Sequence, residues 1–325
     1  MSKTICFDYD GLLFKACCAV EKRSIIVKHK TGFEKELNTR TEFYGNWRKK
    51  DGGWLASNPE YSLEDFEIED VKVAEPLENA LALLKRMIKN TVSDLDADRY
   101  YGYLGGVGNF RKDICTLLPY KGNRTDFEIP VHLGDAKEYL LKHHNARVSN
   151  MLESDDLIVT DMHSALQNKD DFVGVVFEKD YLGCSGDWYY PDQRNLINIR
   201  GFGELIRTEK KVTGQGRMFK YFQVAGQDSS DNYAAACFSD KKNGEVSVYN
   251  RLKDCKNDKE AFTAMKEHFL HLYPEPKEIT NWKGDTFEID WFYVMQECFN
   301  MAHLQRWKDD RIDLKKTFDT LGVQL

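Results

Sequence analysis

The chain has 325 residues and a formal net charge of −7, and 42% of its residues are hydrophobic. Its length suggests one large or two modest domains, and this apolar content is enough for a buried core. No apolar run approaches the ~20 residues that cross a bilayer. The sequence begins MSKTICFDYD, with acids where a signal peptide would be apolar, so we expect a cytoplasmic protein. The overall acidity disfavours non-specific coating of nucleic acid but leaves room for a local basic track.

The pattern of apolar and polar residues predicts strands that alternate with helices. KTICFDYD, RYYGYLGG and DFVGVVFEKD have the apolar content of buried strands, and a Thr-Gly turn within residues 24–45 indicates a hairpin. PLENALALLKRMIKNTVSDL predicts a helix with Leu77, Leu81, Leu84 and Ile88 on its apolar face. Helices are also predicted from GLLFKACCAVEK, GDAKEYLLKHHNARV, the segment beginning at ESDD, GRMFKYFQVAG, and segments after residue 258. This order is typical of an α/β fold with a mainly parallel sheet.

Acidic residues follow two of the predicted strands and lie at the ends of two predicted helices. In an open α/β sheet the ligand site lies beyond the carboxyl ends of the strands, so we expect these acids to meet at one edge. Each cluster alone is equally compatible with a solvated strand end, a turn, or a helix start favoured by the helix dipole. The clusters are Asp8 with Asp10, Glu153 with Asp155 and Asp156, Glu178 with Asp180, and Asp228 with Asp231.

Four acidic clusters that converge need a compensating charge, because like charges repel and resist desolvation. Hard divalent cations with oxygen ligands provide it, so the clusters predict Mg²⁺ or Mn²⁺. Histidine is absent from all four clusters, which disfavours zinc. An all-carboxylate site with two ions roughly 3.5–4 Å apart is typical of phosphodiester hydrolysis.

A basic segment, YKGNR, follows the second predicted strand. Lys121 and Arg124 flank a Gly-Asn turn, where a mobile ammonium and a guanidinium fork can reach a phosphate. The aromatic rings nearby could stack on bases, although the segment alone could equally be a solvated basic loop. Lys15 follows Asp8 by seven residues and could point back over the acidic site. Nucleic-acid contacts are predicted for Phe110, Arg111, Tyr120, Lys121 and Arg124.

Five segments between residue 3 and about residue 235 resemble motifs of the structure-specific 5′-nuclease family, in that family's order and spacing. They are FDYDGLLFKA, NFRKDI with YKGNR, LESDDLI, VVFEKDYLGCSGDWYYP and AGQDSSDNY. The family includes flap endonucleases, the 5′-nuclease domain of bacterial DNA polymerase I and bacteriophage 5′→3′ exonucleases. The resemblance implies a three-layer, PIN-like α/β nuclease core over residues 1–231, with an arch segment at about 106–135. It also implies a helical DNA-binding subdomain over residues 232–325.

The resemblance also implies roles for individual residues. Lys121 and Arg124 would bind the scissile and neighbouring phosphates, and Lys15 stands where the family has an arginine. Lys241 and Lys242 could supply a phosphate-binding turn. The implied ligands of two Mg²⁺ or Mn²⁺ ions are Asp8, Glu153, Asp155, Asp156, Glu178, Asp180, Asp228 and Asp231.

The implied activity is metal-dependent hydrolysis of DNA as a 5′→3′ exonuclease or flap endonuclease. The resemblance extends this to the RNA of RNA–DNA hybrids, as in ribonuclease H activity and primer removal during replication. In-line attack by a metal-bound water needs no histidine base, which fits the composition of the four clusters. The implied partner is a nucleic acid with a 5′ end, and we expect a monomer.

The sequence departs from the family pattern in several places. Tyr9 replaces a glycine, Glu178 replaces an aspartate, and no Gly-x-Gly follows Asp231, so a potassium site is not implied. Gly105 and Gly106 stand where the family often has an aspartate, so one carboxylate is expected to be missing. This leaves open a nucleic-acid-binding protein with a decayed site. A phosphatase of the haloacid dehalogenase type fits Asp8-Tyr9-Asp10 but leaves YKGNR and QDSSDN unexplained.

Overall fold

The computed structural model describes residues 2–45, 52–124 and 129–325. Its strands are β1 Thr4–Asp8, β2 Glu21–His29, β3 Glu34–Leu37, β4 Phe66–Ala74, β5 Arg99–Val107, β6 Ala146–Asn150, β7 Phe172–Val175, β8 Gly186–Tyr190, β9 Asn195–Ile199, β10 Glu204–Arg207, β11 Val212–Gln215, β12 Gln227–Asp228, β13 Tyr233–Ala234, β14 Lys277–Thr280 and β15 Thr286–Ile289. Its α-helices are α1 Tyr9–Ala19, α2 Arg40–Tyr44, α3 Gly53–Ala56, α4 Leu77–Asp94, α5 Phe110–Ile114, α6 Leu133–His143, α7 Ser154–Asn168, α8 Gly216–Ala225, α9 Glu245–Leu252, α10 Asp258–Leu272, α11 Trp291–Ala302 and α12 Leu314–Leu321. Short 3₁₀ helices cover Leu63–Asp65 and Lys179–Gly183.

The central sheet confirms the predicted α/β class with a mainly parallel sheet. Its strand order is β6-β5-β1-β7-β8-β9. The pairs β5–β6, β1–β5, β1–β7 and β7–β8 are parallel, and only the edge pair β8–β9 is antiparallel among the described strands of this sheet. The strand β6 lies in a segment that the sequence assigned to the end of a helix, because ARV immediately follows the helical pattern of α6.

The middle of this sheet is buried on both faces, as parallel strands require. Ile5, Cys6 and Phe7 in β1 have no exposed surface. The helix α7 packs on one face, where Ile158 and Met162 join a core with Trp188 of β8. The carboxyl end of β1 therefore lies in the centre of the sheet, and Asp8 is the residue that ends it.

The chain forms two compact units that differ from the predicted division at residue 231. The first unit comprises Met1–Leu12, Asn90–Glu128 and Leu141–Leu325. Residues 232–325 belong to this unit because α8, which precedes residue 231, packs in one core with α10, α11 and α12. Phe222, Phe262, Phe299 and Phe318 are buried in that core. The sequence also did not predict the β14–β15 hairpin, which interrupts the C-terminal helices.

The second unit comprises Leu13–Lys89 and Ile129–Leu140. The predicted hairpin within residues 24–45 is confirmed, since β2 pairs with β3 and also with β4 in a three-stranded sheet. Ile25, Val27, Leu37 and Phe43 form its core. In α4, Leu84 and Ile88 of the predicted apolar face are buried.

Part of the predicted arch segment lies outside the described residues, because residues 125–128 fall within 106–135. Its described part holds α5 and the basic turn that ends at Arg124. Within the described ranges, no helix has the length and apolar content needed to cross a membrane.

Candidate metal and phosphate site

The carboxyl edge of the central sheet gathers acidic side chains from several elements of the first unit. Asp8 ends β1, Asp155 lies in the first turn of α7, and Glu178 follows β7. A small cavity of about 20 Å³ lies at this edge. Its lining includes Glu153, Asp155, Glu178, Asp180, Asp228 and Asp231, together with Arg111, Tyr120, Lys121 and Gln223.

Several of these carboxyl groups raise one another's pKa. Burial, with Asp10 and Glu178 nearby, raises the pKa of Asp8 to about 8. Burial raises the pKa of Asp155 well above its usual value, and Asp8 and Glu178 add to this effect. Burial and the charge of Asp228 raise the pKa of Asp180 to about 7. Such shifts mark carboxylates that lack enough opposite charge, which is the condition that a bound cation relieves.

Basic side chains of the same unit pair with the outer carboxylates. Lys121 contacts Glu153, and its Nζ lies 3.5 Å from Asp231 Oδ1. Lys179 Nζ lies 2.9 Å from Asp228 Oδ2, and this contact lowers the pKa of Asp228 although burial opposes the shift. Burial still raises the pKa of Asp231 and of Glu178, because Lys121 offsets only part of it.

The charges of the site do not balance. The eight predicted ligands supply eight carboxylates, whereas four cations form ion pairs with them among the described residues: Arg111, Lys121, Arg124 and Lys179. These carboxylates therefore outnumber these cations by four when every group is ionised. The donor set is all oxygen, as hard divalent cations prefer, so these residues fit Mg²⁺ or Mn²⁺ better than zinc.

The gathered carboxylates are not arranged as a finished coordination shell. Within residues 2–45, 52–124 and 129–325, no three Asp, Glu, His or Cys side chains converge in a way that holds a metal ion. The internal ion pairs of Lys121 and Lys179 account for part of this arrangement. Metal binding at this site would require these two lysines to release Glu153, Asp231 and Asp228.

Asp156 occupies a different position from the one predicted for a metal ligand. Its two oxygens accept hydrogen bonds of 2.8 Å from Arg111 Nη1 and Nη2, and Gln305 N donates to Oδ1 at 3.0 Å. Burial opposes ionisation, but the contacts with Arg111 hold the pKa of Asp156 below its usual value. The side chain has no exposed surface. Asp156 is therefore the partner of a buried arginine, and its predicted role as a metal ligand stays a prediction.

Three residues predicted to contact nucleic acid are buried, and their contacts with nucleic acid stay predictions. Arg111 is 1% exposed, and its Nε and Nη2 donate to the carbonyl oxygens of Met301 and His303. Phe110 is buried beneath the guanidinium of Arg311, which lies 3.7 Å from the ring centroid. Tyr120 is buried and donates its hydroxyl hydrogen to Glu153 Oε2 at 2.8 Å. The sequence showed basic and aromatic residue types but not which of them faces inward.

The basic turn lies directly against the acidic QDSSDN segment. Lys121 N donates to Asp231 O at 3.0 Å, and Arg124 Nε donates to Ser230 O at 3.0 Å. Lys121 has a φ of 55°, a left-handed conformation that costs energy outside glycine and that this backbone contact helps to hold. The side chains of Lys121 and Arg124 are 24% and 41% exposed. Both cations thus stand beside the carboxylates and remain accessible.

Asp10 supplies a carboxylate that the sequence analysis did not include among the ligands. Its Oδ2 accepts from Gly105 N at 2.7 Å and from Ser154 Oγ at 3.0 Å. A Cβ atom on residue 105 would lie 3.0 Å from the same oxygen, so glycine leaves the room that this side chain fills. A carboxylate from the first turn of α1 thus lies beside Gly105 at the end of β5, where the family pattern often has an aspartate. No local sequence pattern indicates this contact, because Asp10 and Gly105 lie in different elements.

Three predicted contact residues, Lys15, Lys241 and Lys242, are not among the residues that line the small cavity at the carboxylates. Lys15 is half-buried on α1 in the second compact unit, so its predicted assistance stays a prediction. Lys241 and Lys242 are exposed before α9, where Lys241 Nζ contacts His271 O. Their predicted phosphate contacts likewise stay predictions.

Comparison with known proteins gives a weak structural likeness. No protein-family model and no curated protein matches the chain. A solved bacteriophage T5 protein co-crystallised with metal ions is 14% identical, with a TM-score of 0.45 over 70% of this chain and 82% of that chain. A mutant T5 5′-exonuclease is 14% identical, with a TM-score of 0.42 over 70% and 81%. A T5 flap endonuclease in a pseudo-enzyme–product complex with DNA and metal ions is 13% identical, with a TM-score of 0.39 over 75% and 91%.

The similar structures are of bacteriophage 5′-nucleases, which belong to the family that the sequence motifs resemble. Their TM-scores lie below 0.5, so this likeness by itself establishes neither the activity nor the site of this chain.

Proposed function

We propose that this chain is a divalent-metal-dependent nuclease that hydrolyses phosphodiester bonds of DNA. The observation that carries the proposal is the excess of buried carboxylates at the carboxyl edge of the sheet, beside the accessible cations Lys121 and Arg124. Carboxylates that bind cations and cations that bind phosphates are the two parts that phosphodiester hydrolysis needs.

The cations, Mg²⁺ or Mn²⁺ and two in number, would be held by carboxylates that raise one another's pKa. Asp8, Asp155, Glu178, Asp180 and Asp231 form this set, with Asp10 beside it. Glu153 and Asp228, also predicted as ligands, would join the set once Lys121 and Lys179 release them. When bound, such ions supply a water of lowered pKa and stabilise the leaving oxygen.

Side chains behind the carboxylates fix their orientation. Tyr181 donates its hydroxyl hydrogen to Asp155 Oδ1 at 2.6 Å, and Gln223 Nε2 donates to Asp180 Oδ1 at 2.5 Å. These contacts hold the acids in place before substrate arrives, and preorganised groups lower the barrier because they need not reorganise during the reaction.

Lys121 and Arg124 would neutralise the charge that develops on the phosphate. Their tethering to the backbone of residues 230–231 keeps both cations at the rim of the carboxylate cluster. Contacts of this kind read the phosphate backbone and carry no base information, so we expect selectivity for end structure rather than sequence. The proposed preferences, for a 5′ end, a flap or the RNA of an RNA–DNA hybrid, rest on the order of the sequence motifs.

Cleavage assays test the proposal directly. The substrates are 5′-labelled duplex, flap and RNA–DNA molecules, supplied with Mg²⁺, Mn²⁺ or EDTA, and a small phosphate ester in parallel. We expect short 5′ products that need the metal and disappear in Asp155→Asn. Binding without any cleavage by the wild-type protein would indicate a decayed site, and turnover of the ester alone would indicate a phosphatase.

The role of Lys121 is tested by Lys121→Ala. Because its ammonium would act on charge that develops during the reaction, we expect cleavage to fall by about 100-fold, while the dissociation constant for the same DNA changes only a few-fold. Single-turnover cleavage and binding by fluorescence anisotropy measure the two effects. Equal losses in both would mean that Lys121 only holds the substrate.

A further inference from the structure

A second, larger cavity lies among the helices of the first unit. Its volume is about 500 Å³, within the range of sites for small organic ligands. Side chains of α7, α8, α10, α11 and α12 line it, as do Gly183, Cys184, His303, Leu304 and Arg306. None of the carboxylates of the candidate metal site lines this cavity.

Positive charge predominates on the walls of this cavity. Arg217, Lys220, Arg306 and Lys316 line it, and Asp258 is the acidic residue among the described lining residues. Arg217 Nε lies 2.8 Å from Asp258, and Arg306 Nε lies 2.8 Å from Asp310 behind the wall. Those two pairs balance, so the charges of Lys220 and Lys316 remain in excess.

Lys220 lies at the inner wall, where an anion would stabilise it. Its Nζ contacts His303 Nδ1, and His303 Nε2 lies 2.8 Å from Asp310 Oδ2. Burial lowers the pKa of His303 to about 4, so the neutral ring can accept from Lys220 and donate to Asp310. Burial also lowers the pKa of Lys220 to about 8, so an anion beside it would favour its charged form.

The floor of the cavity is aromatic. Tyr221, Phe262 and Phe299 line it, and the last two stack with ring centroids 5.5 Å apart and an interplanar angle of 14°. The Tyr221 ring meets Phe262 edge-on at 5.2 Å. An apolar floor below a cationic wall suits a ligand that has a flat ring at one end and an anionic group at the other.

We propose that this cavity binds a nucleoside 5′-monophosphate, with the phosphate against Lys220 and Lys316 and the base on the aromatic floor. The choice of ligand rests on the proposed nuclease function, because hydrolysis at a 5′-phosphorylated end, with the 3′ oxygen of the terminal nucleotide as leaving group, releases a nucleoside 5′-monophosphate. Leu304 lines both cavities, but no carboxylate of the candidate metal site lines the larger one, so the bound nucleotide would be a released product rather than the reacting strand.

Isothermal titration of the full chain in EDTA, with deoxyadenosine 5′-monophosphate, deoxyadenosine and inorganic phosphate, tests the proposal. We expect saturable binding of one nucleotide, at least about 10-fold tighter than either the nucleoside or phosphate. No saturable binding of the nucleotide would overturn the proposal. Equal binding of the nucleoside would overturn the role of the cations, and equal binding of phosphate would overturn the role of the floor.

Adjacent lysines on α12 provide a matched control. Lys316 lines the cavity, whereas its exposed neighbour Lys315 does not. Lys316→Glu should weaken nucleotide binding by about 10-fold or more, and Lys315→Glu should leave it unchanged. Thr320→Trp, which fills the cavity without changing charge, should abolish binding while the protein stays folded by circular dichroism.

The variant Lys121→Ala tests whether the nucleotide binds at the candidate metal site instead. We expect this variant to bind the nucleotide as the wild type does. Loss of binding in Lys121→Ala, or equal effects of the two α12 variants, would overturn the proposal. The nuclease assay is independent of this measurement. Nucleotide binding without any cleavage would contradict the proposed nuclease function and support the nucleotide as the ligand of the cavity. Cleavage without nucleotide binding would support the nuclease function and contradict the proposed ligand.

Discussion

Two clusters of charged side chains lie close together in the first unit, and they differ in how their charges balance. In the buried cluster, Arg111 pairs with Asp156, and Asp310 pairs with His303 and Arg306. Although burial opposes ionisation, these partners hold the pKa values of both aspartates below their usual range. In the carboxylate cluster, burial and mutual repulsion raise pKa values instead.

This difference in charge balance distinguishes charged residues that stabilise the fold from charged residues that serve a binding or catalytic site. A balanced buried cluster stabilises the folded chain only while every partner is present, because removing one leaves a buried charge unpaired. An unbalanced cluster destabilises the folded chain and persists where it serves a site. Asp155 and Asp156 are neighbours in the sequence, yet one belongs to each cluster. Substitutions at these two positions therefore test the comparison most sharply.

Asp155→Asn should have the largest effect on activity. We expect the cleavage rate to fall by more than about 100-fold. Mutation of a residue that only supports a metal ligand commonly lowers metal affinity or activity by about 10- to 100-fold, and Asp155 is itself a proposed ligand. The free energy of unfolding should stay the same or rise, because the substitution removes a buried charge that repels Asp8 and Glu178. Single-turnover cleavage and urea denaturation measure both quantities. A marked loss of stability would place Asp155 in the balanced cluster.

Asp156→Asn should have the largest effect on stability. The change leaves the buried Arg111 guanidinium without its carboxylate, and we expect the free energy of unfolding to fall by roughly 3 kcal/mol. Urea denaturation of the two asparagine variants side by side provides the measurement. If Asp156→Asn unfolds like the wild type and loses only cleavage, Asp156 acts as a metal ligand rather than as the structural partner of Arg111.

The free energy of unfolding should depend on pH because of the raised pKa values in the carboxylate cluster. The pKa values of Asp8 and Asp180 rise from 3.8 to about 8 and about 7. Between about pH 4 and pH 8, the folded protein therefore keeps protons that the unfolded chain has released, and the free energy of unfolding falls as pH rises.

Thermal unfolding in EDTA from pH 5 to pH 8 measures this effect. We expect the melting temperature to fall across the range, by an amount equivalent to at least about 1 kcal/mol. Excess Mg²⁺ should reduce the fall by compensating the charge. A melting temperature that rises over the same range in EDTA would mean that the cluster is balanced.

A smaller effect is expected from Gly105→Ala. The new methyl group would lie 3.0 Å from Asp10 Oδ2 and displace that carboxylate, so we expect cleavage to fall by about 10-fold with little change in stability. Gly134→Ala is the matched control, because no atom lies within 4 Å of its added methyl group. Equal activity of the two variants would show that the position of Asp10 does not matter.

Much of the fold followed from sequence patterns. The apolar strands and the amphipathic helix α4 have strong periodicity, and the order of elements placed the acidic clusters at the carboxyl edge of the sheet. The membership of residues 232–325 in the first compact unit was not predictable in this way. It depends on α8 packing with α10 and α11, a long-range contact that local patterns do not record.

The sequence predicted which types of residue form the candidate site, but it did not predict which of their side chains face the interior. The sequence cannot show that Arg111 faces Asp156 inside the protein while Lys121 and Arg124 remain accessible, because all three are basic residues in one polar segment. It also could not show that the carboxylate of Asp10 fills the space beside Gly105, since the two residues are joined only across neighbouring elements.

Titration with Mn²⁺, followed by electron paramagnetic resonance of the free ion, tests whether the carboxylate cluster binds divalent metal ions. The unbalanced carboxylate cluster should take up Mn²⁺ in saturable fashion, with two ions per chain at saturation, as proposed. Binding of at least one ion should disappear in Asp155→Asn and persist in Lys315→Glu. Absence of saturable Mn²⁺ binding by the wild-type protein, or binding that is unchanged in Asp155→Asn, would contradict the account.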